Sequence, residues 1–363
     1  MVGNSNEAGY AIGVMDGDGI GKEIVPGAVR VVDAAMSAVG GPPIAWVPLA
    51  FGRDALDEVG SPIPDATLEA LTSLHGWIVG PHDSASYPEE FRGRLTPGGV
   101  IRKHFDLYAN IRPAKATPGV RAVSPSMDLV VVRENTEGFY ADRNMFVGSG
   151  EFMPTPDVAL AVGVFTRPAA TRIARQAFEL ARSRRKKLTI VHKANVLALT
   201  TGLFRDACLD VAEDFPDVDV RSEHVDAITA HLVRSGEDFD VIVAENMFGD
   251  ILSDLTGELS GSLGSAPSIN TSDSKVMAQA AHGSAPDIAG HNRANPTAII
   301  LSSALMLEWL ASRSGPSSFA SAARHIERAV SATIGSGVAT SDIGGQASTS
   351  EFIEVVVAHA LRS

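Results

Sequence analysis

One cysteine stands among 363 residues, so no internal disulfide can form. That usage suits a reducing compartment, and a cytoplasmic protein is expected. The residue, Cys208, sits among apolar neighbours at helical spacing in LFRDACLDVAEDF, the setting of a small core side chain rather than a nucleophile. No apolar run approaches the ~20 residues of a membrane span, and the opening MVGNSNEAGY lacks signal-peptide character. Basic residues are in deficit: 30 Lys and Arg face 43 Asp and Glu, for a net charge of −13. This argues against a nucleic-acid partner or a membrane surface, but leaves room for a single basic pocket that takes a small anion. The glycines of Asp16-Gly-Asp-Gly-Ile-Gly21 fall at 17, 19 and 21. They lack the spacing of a Rossmann dinucleotide turn, and they read as a tight turn with no nucleotide assigned.

What the chain does have is an ordinary globular composition, 45% hydrophobic and 20% charged, and length for one large domain or two. Its organising stretch is VIVAENMFGDILSDLTGELSGSLG, Val241 to Gly264. Val241 to Ala244 is the short apolar run of a buried strand, and a helical pattern follows. In that helix Asp250 and Asp254 are four residues apart, one above the other on one face. Stacked carboxylates repel unless a positive charge lies between them, and an oxygen-bound divalent cation would supply it. Two solvated acids on an exposed turn is the alternative.

Further strands are expected at Ala11 to Met15, Leu74 to Gly80, Met127 to Arg133 and Leu188 to His192. Helices are expected at about 22–39, 100–108, 203–215, 296–312, 318–333 and 350–362. Thr166 is a good N-cap with Pro168 just inside the helix it starts. Residues 135–153 are polar and glycine-containing, as in an extended arm. Alternating strands and helices predict α/β layers, with a discontinuous first domain and an inserted second one.

Several ionisable residues stand at the ends of apolar runs. Arg102, Arg112 and Arg133 each do, and a guanidinium grips a carboxylate with two parallel donors. Three such residues could hold a dicarboxylate; any one alone would read as a surface ion pair. Lys193 follows LTIVH at a strand's carboxyl end, where α/β sites form. It could move a proton if its pKa is lowered, although a lone lysine is more often simply solvated. Tyr140 is a second candidate proton donor, or a packing residue. Asp226 in EHVDAITAHLV is a third carboxylate for a metal, or a helix-cap acid. In His282-Gly-Ser-Ala-Pro-Asp-Ile-Ala-Gly290 small residues would let backbone lie against a flat ligand; a plain surface turn is the other reading.

RENTEGFY, HKAN, VDAITAHLV, ENMFGDILSDL, HGSAPDIAG with NRANP, and SDIGGQASTSEF together resemble the β-decarboxylating dehydrogenases. That family includes isocitrate, 3-isopropylmalate, homoisocitrate and tartrate dehydrogenases. The matching blocks run in order along essentially the whole chain. The resemblance implies an isopropylmalate/isocitrate dehydrogenase-like α/β fold, not a Rossmann fold. Two α/β domains would share a cleft: 1–99 plus 251–363 binding cofactor, and 100–250 carrying metal and substrate residues and a dimerisation arm. It implies that Arg102, Arg112 and Arg133, with Thr96 and Asn195, hold a malate-type dicarboxylate. Asp226, Asp250 and Asp254 would bind Mg²⁺ or Mn²⁺. Lys193 would help take the hydroxyl proton as hydride leaves for nicotinamide, and Tyr140 would protonate the enol left after CO₂ departs. Lys193 and Asp226 would come from the second subunit of a homodimer with shared active sites. NAD would lie along His282, Gly283, Ser284, Ala285, Asp287 and Ile288, and against Asn295. A carboxylate at Asp287 accepts from ribose hydroxyls and repels a 2′-phosphate, favouring NAD over NADP.

Two departures bear on the chemistry. Gln279-Ala280-Ala281 precedes HGSAP where the family usually carries Glu-Pro-Val. The loop ahead of Arg102 has neither the GGPKW stretch and paired leucines of isopropylmalate enzymes nor the Ser-x-Asn pair of isocitrate enzymes. Leu95 and Val100 could wall an apolar C3 group, while Ser84, Ser86, Arg92, Arg94 and Thr96 could serve a polar one. The reading is a 3-alkylmalate of the isopropylmalate type, narrowly ahead of isocitrate, homoisocitrate or tartrate. A metal-dependent hydrolase or lyase would need no dinucleotide loop. A non-catalytic regulatory subunit would have lost Lys193, Tyr140 or the aspartates, all of which are present.

Overall fold

The computed structural model describes residues 10–91, 93–139, 145, 148, 150–313 and 315–362. In chain order these form β1 (Tyr10–Met15), α1 (Gly21–Ala38), β2 (Ile44–Pro48), α2 (Gly52–Val59), α3 (Asp65–Ser73), β3 (Gly76–Val79), α4 (Pro97–His104), β4 (Ala109–Lys115), β5 (Asp128–Glu134), β6 (Glu151–Thr155) and β7 (Val158–Ala161). There follow α5 (Arg167–Ser183), β8 (Lys187–His192), α6 (Thr200–Ala212), β9 (Asp219–His224), α7 (Val225–Ser235), β10 (Val241–Ala244), α8 (Asn246–Ser260), β11 (Ile269–Thr271), β12 (Val276–Ala278), α9 (Thr297–Arg313), α10 (Ser317–Gly335) and α11 (Thr349–Ala360). The helix expected to reach Tyr108 stops earlier. Asp106 takes a left-handed backbone, φ 44°, which ends α4 and turns the chain into β4.

The chain forms two compact units, Met1–Arg92 with Lys275–Ser363, and Gly93–Ser274. A boundary drawn at 250/251 from the sequence would cut α8. The helix instead lies whole in the second unit, because Phe248, Leu252 and Leu259 belong to that unit's core.

The first unit is built on parallel strands in the order β2-β1-β3-β12. β3 is buried along its whole length, as its unbroken GWIV predicts for a covered parallel strand. α1, α9, α10 and α11 pack on one another. Gly27 lets α11 close on α1, since a Cβ there would lie 2.3 Å from Ile353 Cδ1.

The second unit has the order β11-β4-β5-β10-β8-β9. β11, β4 and β5 are antiparallel neighbours; β5, β10, β8 and β9 run parallel. Alternation along the strands sorts their side chains between two cores. Val130, Val132, Leu188, Ile190, Val241 and Val243 meet α5 and α6 on one face, where Cys208 is also fully buried. Leu129, Val131, Val191, Ile242 and Ala244 meet α7 and α8 on the other. Both faces being covered is why these strands read as continuous apolar runs. The Thr166 hydroxyl caps α5 by accepting from the Ala169 N–H. β6 and β7 form a separate antiparallel hairpin that exposes Phe152, Met153, Val158 and Leu160. No helix among the described residues is long and apolar enough to cross a membrane.

Candidate active site

The start of α8 is built by a buried acid. Glu245 follows β10 at 2% exposure, and its carboxylate accepts from the Met247 and Phe248 N–H groups at 3.0 and 2.8 Å. This caps the helix and satisfies two of its free donors. Asn246 follows, fully buried, and donates to the Glu137 carbonyl at 2.8 Å. Its side-chain oxygen accepts from Arg133 Nη2 and Nε at 2.7 and 3.1 Å. Gly249 then lets the helix lie against β5, because a Cβ would stand 2.7 Å from the Arg133 side chain.

On the next turn Asp250 and Asp254 point at two arginines. Arg133 Nη1 donates to Asp250, and Arg112 Nη2 lies 3.4 Å from the same oxygen. Arg112 Nη1 donates to Ser253 Oγ and Asp254 at 2.8 and 3.1 Å, and its Nε to Asn110 at 2.6 Å. The side chains of Arg133 and Arg112 are 3% and 11% exposed. Antiparallel pairing sets Arg133 opposite Asn110 and Arg112 opposite Val131, which brings both guanidiniums to α8. Burial pushes the Asp254 carboxyl above its usual range; Arg112 opposes this and the charge of Asp250 adds to it.

Lys193 and Asp226 form a second group. Lys193 follows β8, and its Nζ donates to Asp226 at 2.6 Å. That bond holds the Asp226 carboxyl below its ordinary range. Asp226 lies in the first turn of α7 and is exposed. Exposed apolar residues flank both groups: Val196 and Leu199 beyond Lys193, and Ile251 beside Asp250. Oxygen donors at i and i+4 on α8 fit a hard cation such as Mg²⁺ or Mn²⁺. The described residues of one chain, however, bring no three His, Cys, Asp or Glu side chains close enough to hold a metal. Asp250 and Asp254 come together; Asp226 does not join them.

Arg102 lies on α4 and lines a cavity of about 140 Å³ with Gly99, Lys103, Asp106, Asn135 and Thr136. The Thr96 hydroxyl caps α4 by accepting from the Gly99 N–H at 3.2 Å. Asn195 is exposed in the turn after Lys193. Tyr140 and Arg92 lie outside the described residues.

In the first unit, the glycine turn at 16–21 supports the loop at 282–290. The Ile20 N–H donates to the Ser284 carbonyl at 3.0 Å, and a Cβ on Gly19 would stand 2.1 Å from that oxygen. Gly19 has φ +54°, and on Gly17, at φ +73°, a Cβ would stand 2.2 Å from the Pro81 carbonyl oxygen. Both positions therefore need glycine. Between them, Asp18 is buried and accepts from the Arg53 and Asp83 N–H groups and the Tyr87 hydroxyl. The Gly290 N–H donates to Glu23 on α1. Ala285 has φ +40°, and its carbonyl accepts from the Ile288 N–H. His282 Nδ1 lies 3.0 Å from the Gly283 carbonyl, and burial holds its pKa down. Asn295 accepts from the Thr297 N–H at the start of α9 and donates to Asp342 at 2.8 Å. Asp287 is exposed and Ser284 buried. The contribution of Gly19 was hidden in the sequence, since GDGIG shows a turn but not what the turn rests against.

Burial raises the Glu245 carboxyl to about 7, against the two N–H donors that lower it. A carboxyl raised above its unfolded value contributes stability below about pH 4.5 that is lost as pH rises through 7. Glu245→Gln should remove that slope, on the order of 3 kcal/mol across the window. Denaturation midpoints of both proteins from pH 4 to 8 give the comparison, and parallel curves would refute the assignment.

The profile of the isocitrate/isopropylmalate dehydrogenase family matches residues 11–356. The chain is 44% identical over 360 residues to the isocitrate/homoisocitrate dehydrogenase of Thermus thermophilus, covering 98% of this chain and 99% of that one. It is 40% identical over 344 residues to the 3-isopropylmalate dehydrogenase of Archaeoglobus fulgidus, covering 94% and 97%. The crystal structure of isocitrate dehydrogenase from Methylococcus capsulatus superposes with a TM-score of 0.86 at 37% identity, over 97% of this chain and 99% of that one. A profile spanning nearly the whole length, full-length relatives and a shared fold place this chain in the isocitrate/isopropylmalate dehydrogenase family.

Proposed function

We propose that the protein is an NAD-dependent, divalent-metal-dependent dehydrogenase that oxidatively decarboxylates a 3-substituted malate at active sites shared across a homodimer. The observation that carries the reading is the cluster on α8, where the buried Arg133 and the partly buried Arg112 converge on two stacked aspartates. Arg112 and Arg133 suit the carboxylates of a malate core, with Arg102, Thr96 and Asn195 completing its contacts. Asp250 and Asp254 from one chain and Asp226 from the other would hold Mg²⁺ or Mn²⁺. The bound metal supplies Lewis-acid stabilisation of charge on the substrate oxygens, and NAD supplies the hydride acceptor. Lys193 takes the hydroxyl proton, and Tyr140 returns one to the decarboxylated product. His282 to Ile288, with Asn295, carry NAD, and the exposed carboxylate of Asp287 disfavours a 2′-phosphate. Three features support the dimer: the apolar hairpin β6–β7, the exposed Val196, Leu199 and Ile251, and the separation of Asp226 from its fellow aspartates in one chain.

Between C3 substituents, the 44% relative, named isocitrate/homoisocitrate dehydrogenase, favours isocitrate or homoisocitrate. Arg94, exposed ahead of α4, offers a cation for the third carboxylate. The second reading, 3-isopropylmalate, draws on Leu95 and Val100 and on the 40% relative. The test is nucleotide reduction with Mn²⁺ across isocitrate, homoisocitrate, 3-isopropylmalate, tartrate and malate, using NAD and NADP. The expected result is a kcat/KM for a tricarboxylate at least about tenfold above isopropylmalate, ~1.4 kcal/mol in transition-state binding. NAD should be the better acceptor, and excess EDTA should stop turnover. The reverse order would select the second reading. Activity undiminished in EDTA would remove the metal, and silence with every malate would overturn the reading.

A further inference from the structure

We infer that His192 is a positioning residue that aims Lys193, an inference resting on the reading of Lys193 as the proton-transfer group. His192 is the last residue of β8 and is 4% exposed. Its Nδ1 accepts the Ala194 N–H at 3.0 Å, and its Nε2 lies 2.7 Å from Ser222 Oγ on β9. Because Nδ1 accepts, the ring proton sits on Nε2 and is donated to Ser222. Burial, and then the neighbouring His224 edge-on at 5.0 Å, hold the imidazole in the neutral form this pattern needs.

The peptide N–H groups of Lys193 and of the residue after it are therefore both fixed by buried side chains. The Lys193 N–H donates to Thr201 Oγ1 at 3.1 Å, and the Ala194 N–H to His192. The Lys193 carbonyl accepts from Val196 and Leu197. A lysine stem is long and flexible, so a fixed backbone sets the region its amine can reach, and the bond to Asp226 selects a place within it. The same ring spans from β8, which leads into Lys193, to Ser222, four residues before Asp226. One imidazole thus sets both the exit direction of Lys193 and its spacing from the segment that carries its partner.

His192→Leu fills the space but accepts and donates nothing. His192→Asn restores an acceptor where Nδ1 stood. His192→Leu is expected to lower kcat about 10- to 100-fold, with substrate KM changed less than about threefold. His192→Asn should return kcat to within about threefold of the parent. Should the leucine variant fail to fold, His192→Gln, which reaches Ser222 but leaves the Ala194 N–H, gives the same comparison. Wild-type kcat in the leucine variant, or equal losses in the leucine (or glutamine) and asparagine variants, would overturn the inference. Lys193→Met, measured alongside, separates two failures. If it turns over normally, the assignment of Lys193 falls. If it is silent while His192→Leu is unimpaired, only the positioning role falls.

Discussion

Lys193→Met should lose about 10³-fold in kcat, within the range for removing a positioned proton-transfer group, while its thermal midpoint stays within about 2 °C of wild type. The second half follows from exposure. Within one chain the partner of Lys193, Asp226, is 68% exposed, and exposed ion pairs contribute about 0–1 kcal/mol. A large catalytic loss with so small a structural one would mark Lys193 as chemical rather than architectural. If the site is shared between subunits as proposed, a sharper outcome follows. Asp250→Asn should also be inactive, and dimers re-formed from a mixture of the two variants should regain activity. A mixed dimer holds one site with both substitutions and one with neither, so random exchange restores roughly a quarter of wild-type activity when each site works independently. No recovery after demonstrated subunit exchange would place Lys193 and Asp250 in the same chain's site. Wild-type turnover by Lys193→Met would remove the lysine from the mechanism.

Arg133→Met should fail on both counts. Its guanidinium is 3% exposed and makes two bonds to Asn246 and one to Asp250. Removing it strands a buried amide oxygen and leaves Asp250 beside Asp254 with less compensation. Breaking a buried charge network of this kind costs about 3 kcal/mol or more, lowering the thermal midpoint by roughly 5–10 °C. The kcat/KM should fall at least ~100-fold as the grip on a substrate carboxylate is lost. Arg133→Lys should not restore either property, because an ammonium cannot reproduce the planar fork. A midpoint unchanged in Arg133→Met, or full rescue by lysine, would refute this account.

Local signals carried well from sequence to structure. The Thr166 cap, the strand at Val241 and the stacking of Asp250 on Asp254 each depend on a few adjacent residues, and each is found where the pattern puts it. The glycine turn at 16–21 is a turn, as its spacing indicated. What could not be read was anything fixed by long-range register. Arg112 reaches Asp254 only because β4 pairs antiparallel with β5, and nothing near residue 112 reports that. Nothing in the sequence around Glu245 reports its burial or its capping of α8, which depend on packing around β10. The end of α4 was overestimated because the apolar pattern continues through Leu107 and Tyr108 into the next strand. One left-handed residue, Asp106, separates the two.

The discontinuity of the first unit also has a consequence for synthesis. Gly93–Ser274 is one uninterrupted stretch, so all the strands and helices of that unit can have left the ribosome while the chain is still growing. The earlier unit cannot close in the same order. β3 pairs with β12, and Gly27 on α1 is covered by Ile353 on α11, near the end of the chain. At ~5–20 residues per second, the interval between finishing β3 and making α11 is roughly 15–55 s. Until β12 is made β3 keeps an unpaired apolar edge, and until α11 is made α1 lacks its cover, the kind of surface chaperones bind and aggregates grow from. Slow translation of residues 280–363 would lengthen this exposure, and a chain truncated before α11 would keep the second unit's own cores while leaving the first without its cover.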